Sequence, residues 1–76
     1  MAASLLPVNA SSQDRAETIA RDGFARMAPR GIILRTLTFV RAEPVRPFAD
    51  VALSETGAEP VACYVFTVEY GRDGAL

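Results

Sequence analysis

The chain contains one thiol, Cys63, and this side chain is its first candidate for nucleophilic chemistry. A catalytic cysteine is normally activated by a neighbouring base, most often His, and the chain contains no His. Cys63 also lies in the middle of a predicted strand, where a buried structural thiol is the favoured interpretation. We therefore predict no catalytic role for Cys63.

The nine acidic residues are the remaining candidates for chemistry, because they could bind a metal ion. They are scattered along the chain and form no calcium-loop spacing, and the absence of His removes the commonest metal ligand. All eight basic residues are Arg, so Schiff-base chemistry and a phosphate-binding P-loop lysine are excluded as well. We predict that the protein is not an enzyme and that it uses no cofactor or metal.

Charge is divided unevenly between the two halves of the sequence. Residues 1–41 hold six Arg and three acids, a net charge of +3, whereas residues 42–76 hold two Arg and six acids, a net charge of −4. Complementary charges at the rim of an interface guide association and set its register. We predict partner contacts by four acids and by a counter-patch of two arginines: Asp50, Glu55, Glu59, Glu69, Arg35 and Arg41.

A nucleic-acid interface is a second interpretation of the arginines. Arg side chains beside Phe39, Phe48 or Tyr70 could form a stacking platform for bases. The net charge of −1 weighs against this interpretation, since nucleic-acid modules usually present a basic face. Nucleic-acid binding therefore remains a less favoured alternative.

The elements that must position these residues begin with one helix. Ser11-Ser12-Gln13-Asp14 offers a serine N-cap at Ser11 with an acid three positions later. Pro29 and Gly31 end the helix. Between these signals, apolar residues recur at helical spacing and predict one stripe that faces a core: Ala16, Ile19, Ala20, Phe24 and Met27.

Strands are predicted before and after the helix. Residues 32–41 and 61–70 are rich in β-branched and aromatic residues, and each predicts a long strand. Residues 5–10 predict a short strand that Pro7 confines to a sheet edge. Residues 49–53 predict a short strand that forms a hairpin with the last one.

The order of elements predicts a single α+β domain that spans residues 1–76. One helix packs on one face of a small sheet of three to four strands, mainly antiparallel, in the order β-α-β-β or β-α-β-β-β. No stretch of the sequence is apolar enough to cross a bilayer, and the N-terminus has no signal-peptide pattern. We therefore expect a cytoplasmic protein with no membrane contact, a location that also suits a chain without disulfides.

Alternation along the long strands predicts the face that packs under the helix. Tyr64, Phe66 and Val68 share one side of the last strand and should meet Leu37 and Phe39. The helix residues expected above them are Ile19, Phe24 and Met27. Strict alternation also places Arg35 on this side, so either Arg35 lies past the helix or a bulge shifts the register.

The opposite face of the sheet, which we call the open face, is predicted to be unusually apolar for a surface in contact with water. We therefore expect a second copy of the chain or another partner to cover it. Ile32, Leu34 and Val61 are also predicted to lie on this face. The residues predicted to form this interface are Thr36, Thr38, Val40, Cys63, Val65 and Thr67.

In size and layout the chain resembles small proteins encoded by phages and mobile elements, among them anti-CRISPR inhibitors. The resemblance is carried by Val8-Asn9-Ala10-Ser11-Ser12, which leads into the helix at Ala16…Ile19-Ala20, and by the two long strands that follow. This opening covers less than a third of the chain, and no functional residue carries over from it. The resemblance implies a protein that blocks a bacterial surveillance complex by occupying a surface.

Three functions remain after these exclusions. We favour a non-enzymatic binding protein that occludes or regulates a larger protein or nucleoprotein complex. The first alternative is a structural subunit or homodimer that assembles through the open face. The second is a small nucleic-acid-binding protein.

Overall fold

The computed structural model describes residues 2–72 and contains one helix on a four-stranded sheet. The predicted α+β class and the order β-α-β-β-β are confirmed. A short 3-10 helix lies between the second and third strands. The elements are β1 (Ala2–Ala10), α1 (Gln13–Met27), β2 (Ile32–Glu43), the 3-10 helix (Phe48–Asp50), β3 (Leu53–Ser54) and β4 (Ala62–Arg72).

Helix α1 begins one residue later than predicted. Its N-cap is Ser12, whose Oγ accepts a hydrogen bond from the backbone N–H of Arg15 at 3.1 Å. The prediction of Ser11 was wrong: the Oγ that caps the helix belongs to Ser12, while the N–H of Ser11 donates to the carboxylate of Glu55. The helix ends before Pro29, as predicted, with Ala28 in an extended conformation.

The strand order is β2-β4-β1-β3, so the prediction that residues 5–10 form an edge strand was wrong. β4 is antiparallel to both of its neighbours, and β3 runs parallel to β1. Pro7 is tolerated here because its carbonyl accepts from the N–H of Ala52, on the side away from β4. The missing N–H of Pro7 lies on that same side, where β3 begins only at Leu53, and no bond to β4 is lost.

The predicted strand at residues 49–53 was also wrong in its position and its pairing. Phe48–Asp50 is a 3-10 turn, and only Leu53–Ser54 is extended. A hairpin with β4 is prevented because β1 and β2 already occupy both edges of β4. β3 therefore pairs with β1, with Val8 opposite Leu53.

The core lies between α1 and the face of the sheet predicted from alternation. Phe66 and Val68 are fully buried and Tyr64 is half-buried. Phe39 lies opposite Phe66, and their ring centroids are 5.9 Å apart. Leu37 lies opposite Val68. The predicted core face of β4 and its contacts with β2 are confirmed.

Small residues form the buried side of the helix. Ala16, Ala20 and Gly23 are buried, so α1 approaches the sheet closely. Phe24 packs against the ring of Tyr70 at a centroid distance of 5.5 Å. Met27, predicted to lie in the core, is instead 61% exposed, because it falls in the last turn of the helix near the end of the sheet.

Two bulges in β2 change which of its residues share a face. The register shifts between Leu34 and Thr36 and again between Phe39 and Arg41. The first bulge confirms the second of the two alternatives given for Arg35. It also places Leu34 opposite Tyr70 on the helix side, so the predicted open-face position of Leu34 was wrong.

The same register corrects two further positions on β2. Ile32 lies opposite Arg72 on the helix side, not on the open face. The second bulge places Arg41 opposite Val65, so Arg41 occupies the open-face position predicted for Val40. A bulge inserts one residue, and every side chain beyond it changes face.

Candidate interaction surface

The connection from β2 to β3 passes over the open face of the sheet. We call residues 44–52 the crossing segment, because they leave β2 at one edge and reach β3 at the other. Asn9 lies opposite Cys63 on the open face, and its side chain binds the backbone of Arg46. The crossing segment therefore covers the end of the open face at which β1 ends and β4 begins.

The crossing segment is anchored at Arg46 by three groups. The side-chain amide of Asn9 donates to the carbonyl of Arg46 at 2.8 Å and accepts from its N–H at 3.2 Å. Nε and Nη2 of Arg46 donate to Oε1 of Glu43 at 3.0 and 2.6 Å. Nη1 of Arg46 also donates to the carbonyl of Asp50 at 3.5 Å. Two-point, charge-assisted contacts of this kind fix geometry as well as adding free energy.

The charges in this anchor reinforce one another. Hydrogen bonds hold the pKa of Glu43 below its usual value, the one from Arg41 having the larger effect and the one from Arg46 the smaller. The hydrogen bond with Glu43 raises the pKa of Arg46. Both groups therefore stay charged, and the single carboxylate of Glu43 is shared by two arginines.

Cys63 lies beneath this anchor and has no exposed surface. Burial raises the pKa of its thiol, an effect that the nearby charge of Arg46 opposes. A protonated, inaccessible thiol is a poor nucleophile. The geometry gives Cys63 a packing role on the sheet.

Part of the cover expected on the open face comes from the chain itself. Cys63 and Val65 point away from the helix and yet are completely buried, on the side where the crossing segment passes. Thr36 and Thr38 are exposed and Thr67 is half-buried. The residues predicted to form one interface are thus divided between a covered half and an uncovered half. Val40 lies at the second bulge and is 44% exposed.

Glu55, predicted as a partner contact, is occupied within the chain. Its Oε1 accepts from the N–H of Ser11 at 2.8 Å, and its Oε2 accepts from Nε of Arg15 at 3.3 Å. The side chain is only 5% exposed. The bond from Ser11 lowers the pKa of Glu55, and the contact with Arg15 lowers it further. Glu55 ties β3 to the start of α1.

The other predicted charges do not form one patch. Asp50 and Glu59 are exposed on the connections before and after β3. Glu69 accepts a hydrogen bond from Thr36 and lies six residues along β4 from Cys63, which is about 20 Å in an extended strand. The two predicted counter-patch residues, Arg35 and Arg41, are separated by a similar distance along β2.

The exposed large apolar side chains are spread over several parts of the described fold. Leu5 lies opposite Thr67 in the middle of β4, Ile33 lies opposite Gly71 near the end of β4, and Met27 is the last residue of α1. In the crossing segment Val45 is 45% exposed and Phe48 is 76% exposed. The other exposed large apolar residues are Phe39, Val40 and Val61.

Sequence reasoning missed the crossing segment as a surface. The sequence that forms it has Val45 and Arg46 between two prolines and an aromatic residue after them: Pro44-Val45-Arg46-Pro47-Phe48. Taken alone, that pattern indicates only a loop. Its exposure depends on the anchor at Asn9, 37 residues away, and local pattern gives no access to such a contact.

The predicted stacking platform for bases does not form a single surface. Phe39 lies on the helix side of the sheet opposite Phe66, whereas Phe48 lies on the crossing segment. Tyr70 packs against Phe24 near the end of α1. The three aromatic rings face different surroundings.

A shallow groove runs beside Phe48 along the β3 edge. Its volume is about 330 Å³, and most of its lining is apolar. Within residues 2–72, no group of three or more Cys, Asp or Glu side chains is placed to hold a metal ion. The groove is lined by Phe48, Val51, Ala52, Leu53, Ser54, Glu55 and Thr56.

The fold and this surface define a small α+β domain with an anchored, apolar crossing segment. Comparisons with protein-family models, curated proteins and solved structures gave no match. In the part of the chain that the structure describes, no helix is long and apolar enough to span a membrane. A function is therefore proposed from the geometry of this chain.

Proposed function

We propose that the protein is a non-enzymatic binding protein that uses the crossing segment to occlude or regulate a larger protein or nucleoprotein complex. The observation that carries the proposal is the exposure of Val45 and Phe48 on a backbone that Asn9 and Glu43 hold in place. A solvent-exposed aromatic side chain on a fixed backbone is typical of an interface anchor.

Anchoring matters because binding orders the groups that make contact. A flexible loop loses conformational entropy on association, and this loss opposes binding. The backbone of Arg46 is already fixed by two hydrogen bonds to a side chain that is only 3% exposed. The crossing segment can therefore present Val45 and Phe48 to a partner with little further ordering.

The charged residues contribute at the rim of this surface. Asp50 follows Phe48 closely, and Glu59 precedes β4, so both can meet basic groups on a partner. Glu55 is used internally, and Glu69 lies at the far end of the sheet. Electrostatic steering in this proposal therefore depends on Asp50 and Glu59.

The resemblance to anti-CRISPR inhibitors agrees with this mode of action. The resemblance implies a protein that acts by occupying a surface, without chemistry of its own. A small domain whose one thiol is buried suits that role, and the cytoplasm is the compartment in which it would meet a surveillance complex.

A capture experiment tests the proposal. The tagged protein is expressed in the native host, and its co-purifying partner is identified, reconstituted and assayed for its own activity. We expect a stoichiometric complex in which the activity of the partner is reduced. Met27→Asp, at the end of α1, should capture the partner as the wild type does, whereas Phe48→Asp should not. A complex that forms equally well with Phe48→Asp would refute the role of the crossing segment.

Homodimer assembly has narrower support as a second function. The uncovered half of the open face presents Thr36, Thr38 and Thr67, and β2 is a sheet edge of 12 residues. If this half were an assembly surface, the mass in solution should rise with concentration and Thr38→Arg should abolish the rise. A constant monomer mass would exclude it.

Nucleic-acid binding is the least supported alternative. Arg41 and Arg46 share the carboxylate of Glu43, and their charges are partly neutralised within the chain. A salt-dependent shift with DNA or RNA at low ionic strength would revive this alternative.

A further inference from the structure

We propose that residues 44–47, with the side chain of Phe48 directly after them, are a polyproline-II ligand for a partner domain with an aromatic-lined groove. This inference rests on the proposed function, because it names the partner class for the same surface. Grooves of this kind recognise two prolines separated by two residues, and Pro44-Val45-Arg46-Pro47 has that spacing.

The exposure of the segment follows the period of a polyproline-II helix. This helix has three residues per turn, so Pro44 and Pro47 share one ridge and Val45 lies on a second, while Phe48 follows as the first residue of the 3-10 helix. Arg46 falls on the third side. Arg46 is half-buried and bound to the fold, whereas the other four residues are exposed. The two apolar ridges thus face solvent, and the one charged residue faces the sheet.

The backbone is compatible with that helix. Pro47 has φ −55° and ψ 148°, which is polyproline-II geometry. The ring of Pro44 fixes its φ in the same range, and residues that precede proline are restricted to extended conformations. Residues 45–47 belong to no helix or strand. Their conformation is therefore set by the prolines and by the contact of Arg46 with Asn9.

A protein groove suits this surface better than a nucleic acid or a membrane. The guanidinium of Arg46, the one cation among residues 44–48, is bound to Glu43 and points toward the sheet. The exposed groups are proline rings, Val45 and Phe48, which pack well between aromatic side chains. Because the segment is anchored before binding, the ordering that a free proline-rich peptide undergoes has already occurred.

The test is an NMR titration of the full ¹⁵N-labelled chain with a panel of purified SH3, WW and EVH1 domains, each up to about 1 mM. We expect at least one domain to shift the amide signals of Val45, Arg46 and Phe48. The double variant Pro44→Ala/Pro47→Ala should weaken that binding about tenfold or more, a loss of about 1.4 kcal/mol. The matched control Pro29→Ala replaces an exposed proline outside the segment and should bind as the wild type does.

The signals of β4 report whether each variant remains folded. Phe48→Asp, which replaces an exposed side chain, provides a second loss-of-binding variant that should not disturb the core. The inference is overturned if no domain shifts the segment, if the shifts lie elsewhere, or if the double variant binds normally. If the native partner is still captured in that case, the proposed function stands. If a panel domain binds the segment but no complex is captured from the host, the inference stands and the proposed function is overturned.

Discussion

At the scale of single residues, the position of the crossing segment depends most directly on Asn9. A side-chain amide carries both a donor and an acceptor, and Asn9 uses them on the C=O and N–H of the same residue. Asn9 is almost completely buried, so water does not replace these bonds when they are lost.

We expect Asn9→Ala to lower the free energy of unfolding by about 1–3 kcal/mol, because it leaves the backbone groups of Arg46 unpaired. Urea denaturation followed by circular dichroism measures the change. Gln13→Ala, at an exposed position in the first turn of α1, is the control and should stay within about 0.5 kcal/mol of the wild type. An Asn9→Ala variant as stable as this control would show that the anchor contributes little.

Glu55 gives a prediction of pH dependence. Its carboxyl has an ordinary pKa of 4.5, and the folded state lowers that pKa. The unfolded chain therefore binds more protons at acidic pH, so this group stabilises the fold above pH 4.5 and loses its contribution as the pH falls through the lower, folded value. We expect Glu55→Gln to flatten the loss of stability on acidification, measured by urea denaturation across the acidic range.

Glu59→Gln is the matched control, because Glu59 is exposed on the connection before β4. Its acid-unfolding profile should follow that of the wild type. If Glu55→Gln showed the same acid dependence as the wild type, the contacts of Glu55 with Ser11 and Arg15 would not stabilise the folded state.

At the scale of elements, local sequence patterns predicted the buried faces of β4 and α1, because these faces depend on residues close together in the sequence. Alternation in β4 identified the core face that contains Phe66, and the Ala-rich stripe identified the buried side of α1. The position of β1 in the middle of the sheet was not predictable in this way. It depends on pairing with β4, more than 50 residues away, and on a hydrogen-bond direction that makes Pro7 harmless.

The bulges in β2 show the same limit. Strict alternation places Arg35 on the core side. A charged residue there requires either a bulge that shifts the register or a position past the end of the helix. Which of the two occurs depends on the register with β4, and so the faces of Ile32 and Leu34 were predicted wrongly. The crossing segment depends on the same non-local order, since it exists because β2 and β3 lie at opposite edges.

The packing of α1 on β3 gives a prediction at this scale. A Cβ added to Gly23 would lie 2.6 and 2.7 Å from the two Cδ atoms of Leu53. Alanine is favoured over glycine in a helix by about 1 kcal/mol, and overpacking costs about 1–3 kcal/mol. We expect Gly23→Ala to lower the free energy of unfolding by about 1 kcal/mol, as the net of these two effects.

The effect of Gly23→Ala on the free energy of unfolding should change sign when Leu53 is also replaced. In a Leu53→Ala chain the clash is absent, and adding Gly23→Ala should raise the free energy of unfolding by about 0.5–1 kcal/mol through helix propensity alone. A double-mutant cycle by urea denaturation measures the coupling. Equal effects of Gly23→Ala in both backgrounds would contradict the close approach of α1 to β3.

At the scale of the whole molecule, part of the division of charge along the sequence is used inside the fold. The basic first half and the acidic second half meet in the fold, where Arg15 contacts Glu55 and Arg41 contacts Glu43. These two contacts contribute to holding the chain together and occupy Glu43 and Glu55 within the fold. Among the large apolar side chains of the described residues, the most exposed is Phe48, on the crossing segment.

The affinity of the captured partner for two matched variants tests this conclusion most directly. Phe48→Asp, on the crossing segment, and Met27→Asp, at the end of α1, each place a charge on an exposed apolar position, and both variants should stay folded. By isothermal titration calorimetry we expect Phe48→Asp to weaken binding about 30-fold or more, the effect of losing an interface hot spot. Met27→Asp should bind as the wild type does. Unchanged affinity for Phe48→Asp, or a larger loss for Met27→Asp, would contradict the assignment of the crossing segment as the binding surface.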